Sequence, residues 1–256
     1  MTPSPSTARP GGARRRAGPT LDGVSAPTPD QSLIDDVRRE LGEAANPEKA
    51  EPMRAYMKSA MPFHGVQSPG VARICRQVFA AHSLADRAVW DATVRALWDG
   101  AAYREERYAA IALTGHRSYR DWQDRETLPL YDHLTVTGAW WDYVDEVASK
   151  RVGPILRADP DQVTPVLRRW ANDDDIWRRR VAILAQLGSK AATDPQLLEA
   201  CLAPSLTRPE FFLRKAIGWA LREYARTDPD WVRRYVDAHE HQLSPLSRRE
   251  ALKHLR

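Results

Sequence analysis

Phe211-Phe212-Leu213-Arg214-Lys215-Ala216-Ile217-Gly218-Trp219-Ala220-Leu221-Arg222-Glu223-Tyr224 reads as one helix with two faces. Leu213, Ile217, Leu221 and Tyr224 recur every three or four residues and make an apolar stripe. Trp219 lies about 200° from Ile217 at about 100° per residue, on the side of Phe212 and Ala216 and next to Lys215. The Ala216-Ile217 pair has counterparts at Ala182-Ile183 and Ala110-Ile111. These spacings fit a unit of about 35 residues, the period of stacked helix pairs. The expected fold is therefore all-α, an α-solenoid or superhelix of HEAT-like helical repeats with a concave face wide enough for a duplex. In such a stack both faces of a helix can be buried, so packing also accounts for Trp219.

Helical periodicity extends through the rest of the chain from Ser32 onward. Leu33, Ile34, Val37 and Leu41 mark one amphipathic helix. Asn46-Pro47 opens a second, with Met53, Tyr56 and Met57 along it. Residues 61–69 read as a loop that ends in a Ser-Pro helix start, before a stripe of Val71, Ile74, Cys75, Val78 and Phe79. Further helices are expected near 84–98, 102–115, 127–137, 139–149, 160–171, 175–188, 194–203, 207–226, 228–237 and 245–254. No run alternates as a strand would.

The 256 residues are 43% hydrophobic, enough for a sizeable core. No apolar run reaches the ~18 residues of a membrane span, and the start of the chain lacks the apolar stretch of a secretory signal. Cys75 and Cys201 stand far apart without a C-x-x-C partner, as expected of buried thiols in a cytoplasmic protein. Residues 1–30 hold Arg14-Arg15-Arg16 and repeated prolines without apolar periodicity. They are expected to form a disordered arm ahead of one domain over 31–256. The formal charge is +4, with 20 Lys and Arg against 14 Asp and Glu in residues 150–256. That excess fits a polyanion-facing surface, and equally an arginine-rich codon bias.

Two segments could carry chemistry. In Trp140-Trp141-Asp142-Tyr143-Val144-Asp145, Trp141 and Asp145 are four apart and share a helix face. An indole plane beside a carboxylate suits a developing cation. The same spacing fits a tryptophan buried between helices with a capping or solvated aspartate. In Asp174-Asp175-Ile176-Trp177-Arg178-Arg179-Arg180-Val181-Ala182-Ile183-Leu184, Arg180 falls on the apolar line of Ile176, Ile183 and Leu187. It needs a partner there, a phosphate or a carboxylate. Arg178 and Arg179 read as a solvated face, and Asp173–Asp175 as a helix cap. The seven histidines form no metal-binding pattern, and no phosphate-binding glycine loop or nucleophile elbow is present. No cofactor or metal is expected.

Together these blocks resemble the AlkD-type DNA alkylation-repair glycosylases. The likeness runs from about Asn46 to Arg256 through Asn46-Pro-Glu-Lys-Ala-Glu-Pro-Met53, Tyr56-Met-Lys58, Gly65-Val-Gln-Ser-Pro69, Trp140-Trp-Asp142, Val144-Asp145, Asp175-Ile-Trp177, Arg180, Lys215-Ala-Ile-Gly-Trp219, Leu221-Arg-Glu-Tyr224 and Pro245-Leu-Ser-Arg-Arg-Glu-Ala-Leu-Lys253. The resemblance implies Asp145 as catalytic acid residue and Trp141 and Trp219 as aromatic walls against the lesion sugar. It implies Arg180 on a backbone phosphate and Tyr56 near the site, with Gln67 and Lys215 as further DNA contacts. The arm before residue 31 has no counterpart in the family, and His64 stands where an apolar residue is usual.

The implied activity is hydrolysis of the N-glycosidic bond of cationic N3- and N7-alkylpurines in double-stranded DNA, such as 3-methyladenine and 7-methylguanine. The resemblance further implies that the lesion stays stacked, so that bulky cationic adducts should be tolerated. A cytoplasmic, nucleoid-associated monomer is expected. The alternatives are a catalytically silent HEAT-like protein that binds damaged or branched DNA, and a protein–protein scaffold.

Overall fold

A computed structural model describes residues 27–255. Residues 1–26 of the expected arm, with the Arg14–Arg16 cluster, and Arg256 lie outside the described residues. Fourteen α-helices and no strand occur among those described. They are α1 (Gln31–Glu43), α2 (Pro47–Met57), α3 (Ser68–Ala81), α4 (Arg87–Asp99), α5 (Arg104–Thr114), α6 (Leu128–Gly138), α7 (Trp141–Val147), α8 (Gly153–Ala158), α9 (Pro160–Ala171), α10 (Ile176–Leu184), α11 (Pro195–Leu202), α12 (Phe211–Tyr224), α13 (Pro229–Ala238) and α14 (Pro245–Ala251).

Short polar punctuation sets where many of these helices begin. Asn46-Pro47, Asp159-Pro160, Asp194-Pro195, Asp228-Pro229 and Ser244-Pro245 each pair a capping side chain with a proline at the first helical position. The cap accepts an orphan first-turn N–H, and proline needs no partner there. The helices then stack in two rows. One row runs α3, α5, α7, α10, α12, α14, each packed on the next. A second set backs it, with α1 on α3, α4 on α5, α6 on α7 and α9 on α10. This is an α-solenoid of helical repeats. The three Ala-Ile pairs all fall on the first row, in α5, α10 and α12, and all six residues are buried.

Gly218 permits the tightest crossing of that row. A Cβ there would sit 2.6 Å from the Glu250 Cβ and 3.0 Å from the Ser247 carbonyl oxygen. The helix expected over 139–149 differs at both ends. Ala139 takes a left-handed conformation (φ 44°) and Trp140 is extended, so α7 starts at Trp141. Beyond Val147 the chain continues through a π-helical turn, Ala148–Val152, into α8. Pro154 explains the widened turn: it has no N–H and would crowd the carbonyl four residues back in a regular α-helix. The helix expected over 207–226 begins only at Phe211, because Pro209 disfavours helix at Arg208.

Candidate active site

Three consecutive members of the first row, α7, α10 and α12, bring the expected groups together. Trp141 and Asp145 lie one turn apart on α7, and Trp219 comes from α12. All three line a cleft of about 450 Å³ with Asp142, Glu146, Glu223 and Lys150. Arg180 stands behind it on α10, whose first turn is fixed by the Asp175 carboxylate accepting from Trp177 N at 2.8 Å and Arg178 N at 3.0 Å.

Arg180 makes three hydrogen bonds to protein partners. Its Nε donates to Asp145 Oδ1 at 2.7 Å and its Nη2 to Asp145 Oδ2 at 2.8 Å. Its Nη1 donates to the Phe212 carbonyl. The Arg180 side chain is only 5% exposed and that of Asp145 13%. Of the two partners the sequence left open, the carboxylate is the one present. The bidentate pair lets the guanidinium act as a clamp that fixes the plane of Asp145. Burial pushes the Asp145 pKa above the usual aspartate value. The Arg180 ion pair pulls it down without cancelling the effect, and Asp142 adds to the rise.

The other carboxylates are also backed by arginines. Asp142 accepts from Arg104 Nη2 at 2.6 Å and from the Tyr108 hydroxyl at 2.6 Å. Arg104 is held over the Tyr143 ring at 4.2 Å. Glu146 pairs with Arg151 at 3.2 Å and Glu223 with Arg226 at 3.2 Å. The cleft thus presents four carboxylates and one lysine in a chain of net charge +4.

A second cleft of about 520 Å³ shares Trp141, Asp142 and Glu146 and is walled by Met53, Met57, Phe63 and Tyr108. Tyr56 lies here, 75% exposed, and not in the cleft of Asp145. Gln67 is exposed just before α3, accepting from Lys49 Nζ at 2.9 Å. Lys215 is 3.3 Å from Glu250 Oε1 and does not line the cleft. The solvated face expected of Arg178 and Arg179 is not found. Arg178 is bidentate to Asp132 at 2.7 and 2.9 Å, and Arg179 is buried with Nη1 donating to the Pro204 carbonyl at 2.9 Å.

Sequence reading missed Glu146 and Glu223 as cleft groups, together with the arginines that back Asp142, Glu146 and Glu223. Glu146 follows Asp145 directly, and Glu223 follows Trp219 by four residues, but they share one cleft only because α10 packs between α7 and α12. It also missed Glu105. This buried carboxylate accepts from His64 N at 3.0 Å, Gly65 N at 2.9 Å and Val66 N at 3.0 Å. It thereby fixes the loop that leads into α3.

Among the described residues no group of three His, Cys, Asp or Glu side chains is arranged to hold a metal ion, and no helix is long and apolar enough to cross a membrane. No curated protein matched the chain. A solved structure described as a predicted DNA alkylation repair enzyme from Enterococcus faecalis is 31% identical, with a TM-score of 0.72, over 82% of this chain and 96% of that one. The family profile for DNA alkylation repair enzymes matches residues 37–255. With a matching structure over most of its length and that profile across nearly all of its described residues, the chain belongs to the DNA alkylation repair enzyme family.

Proposed function

We propose that the protein is a DNA glycosylase that hydrolyses the N-glycosidic bond of cationic N3- and N7-alkylated purines in duplex DNA, without base flipping. One observation carries this reading: a largely buried carboxylate, Asp145, shares a cleft with two indoles and three further carboxylates, inside a basic protein. A surface built only to hold phosphates has no use for such a group.

An N3- or N7-alkylpurine already carries positive charge, so it leaves as a neutral base when the C1′–N bond breaks and needs no proton from the enzyme. Positive charge then moves to the deoxyribose. Asp145 faces that cation and orients the water that adds to C1′; the water's proton passes to the carboxylate or to solvent. A unit-charge pair at ~4 Å is worth about 4 kcal/mol at an effective dielectric near 20. Arg180 cancels part of this field while it fixes the carboxylate. Trp141 and Trp219 each add about 0.5–2 kcal/mol through their π faces. The enzyme acts as a monomer on nucleoid DNA in the cytoplasm, where both buried cysteines stay as free thiols.

The test is base release from duplex DNA containing 7-methylguanine. Asp145→Asn should lower the single-turnover rate by about 10²–10³, the scale of losing one electrostatic stabiliser. Its affinity for a neutral abasic analogue should barely change. Near-normal release by this variant would remove Asp145 from the mechanism and direct attention to Asp142. Tight binding of the lesion duplex by wild type without any release would identify a catalytically silent DNA-binding protein instead.

A further inference from the structure

A third cleft, of about 330 Å³, opens between the end of α5 and the π-helical turn that joins α7 to α8. Arg117, Arg120, Lys150 and Arg151 line it together with His116, and no carboxylate does. Arg151 belongs to the fold: its Nε donates to Thr114 Oγ1 at 2.8 Å, its Nη2 donates to the Ile111 carbonyl at 3.2 Å, and it pairs with Glu146. The other three cations are exposed, and among the described residues none has a carboxylate within 4.0 Å.

That lack of partners separates them from the arginines of the neighbouring clefts. Arg104, Arg151 and Arg180 each pair with a cleft-lining acid. Three like charges gathered around one small cleft repel each other. Arg117 lies just past the C-terminus of α5, which offsets some of this, typically by about 0.3–1 kcal/mol for a cation so placed. The three cations bring no packing in return, so the fold gains little from keeping them together. An anion that enters the cleft would turn this repulsion into attraction.

Its location narrows the anion. Lys150 lines both this cleft and the cleft of Asp145, so the two adjoin at that residue. The π-helical turn that holds Lys150 is where the α7 side of the site meets the basic rim, and such turns recur at functional positions. A polyanion whose reacting sugar lies against Asp145 would carry further phosphates past Lys150. Resting on the glycosylase reading above, the geometry points to Arg117, Arg120 and Lys150 as a backbone-phosphate site that grips duplex DNA beside the lesion. These exposed cations would add phosphate contacts beside the Asp145–Arg180 pair.

The experiment measures the affinity of the full chain for an undamaged 20-base-pair duplex as a function of KCl. Three proteins are compared: wild type, the rim variant Arg117→Gln/Arg120→Gln/Lys150→Gln, and a charge-matched variant Arg168→Gln/Arg169→Gln/Arg234→Gln. The last set is exposed on α9 and α13, outside the row that carries the clefts. Each phosphate contact contributes about 0.9 to the slope of log affinity against log salt. The rim variant should therefore lose about 2–3 from the slope and at least about tenfold in affinity near 100 mM KCl, uniformly across sequences. The charge-matched variant should keep the wild-type slope.

A rim variant with the wild-type slope, in a protein that still releases alkylated bases, overturns this site and leaves the glycosylase reading standing. Equal slope losses in both triple variants also overturn it, since net charge alone would then explain binding. Wild-type protein that binds duplex through the rim but releases no base would retain the site and end the glycosylase reading.

Discussion

Asp145 and Arg180 behave as one unit. The guanidinium occupies one side of each carboxylate oxygen and leaves the other lone pairs for the cleft. Because burial raises the Asp145 pKa, the acid limb of the excision rate should lie above the ordinary aspartate value of 3.8. The required form is the ionised carboxylate, so activity falls as pH drops through that raised value. Arg180→Gln removes the influence that lowers it and should move the limb to higher pH, with a loss in stability of about 3–5 kcal/mol, the usual result of orphaning one buried charge. Arg180→Lys keeps the charge and should leave the limb close to wild type while lowering the rate, because an ammonium cannot grip both oxygens. A limb that stays put in Arg180→Gln, measured from pH 4 to 8 by single turnover, would contradict this coupling.

At the scale of elements, the loop 64–66 depends on residues far from it in sequence. Gly65 has φ 85°, and a Cβ on it would lie 2.1 Å from the Asn46 carbonyl oxygen at the base of α2. Glu105 fills the other side with its three backbone bonds. In Glu105→Gln an amide N–H₂ would face a backbone N–H, and a donor left unpaired costs about 1–3 kcal/mol. The melting temperature should drop by about 2–4 °C per kcal/mol for a chain of this size. Hydrogen exchange should quicken first at His64–Val71; a uniform change across all helices would show that Glu105 does not anchor this segment. Such long-range roles explain how far sequence reading could reach. Helix starts were legible because Asp-Pro, Asn-Pro and Ser-Pro pairs act locally. The faces of α1, α3 and α12 were legible because their apolar residues repeat every three or four positions. Trp141, Asp145 and Trp219 were nameable through family blocks, whereas spacing alone also fitted simple packing. The pairings of Asp142, Asp145 and Arg178 were hidden, since each depends on a partner supplied by a different helix: Asp142 by α5, Asp145 by α10, Arg178 by α6.

For the whole molecule, the electrostatic arrangement sets the expected selectivity. The proposed site stabilises a sugar cation but supplies no proton donor to a neutral leaving base. Uracil in the same sequence context should therefore be released far more slowly than 7-methylguanine, by at least about 10³-fold if ~4 kcal/mol of leaving-group activation is missing. Comparable rates for the two, followed by chromatography of the free bases, would require a different mechanism.

The reacting groups are shared among three successive rungs of the stack, α7, α10 and α12, and no single rung holds them all. Under the proposed mechanism, excision would therefore act as a caliper for the distance between rungs. Repeat arrays lose their end units more easily than their middle ones. The α12–α14 crossing at Gly218 is the seam on which Trp219 depends. Mild urea should part that seam and silence the enzyme while most helices remain folded, so the midpoint for activity should precede that for far-ultraviolet circular dichroism. Coincident midpoints would mean that the rungs separate only when the entire stack melts.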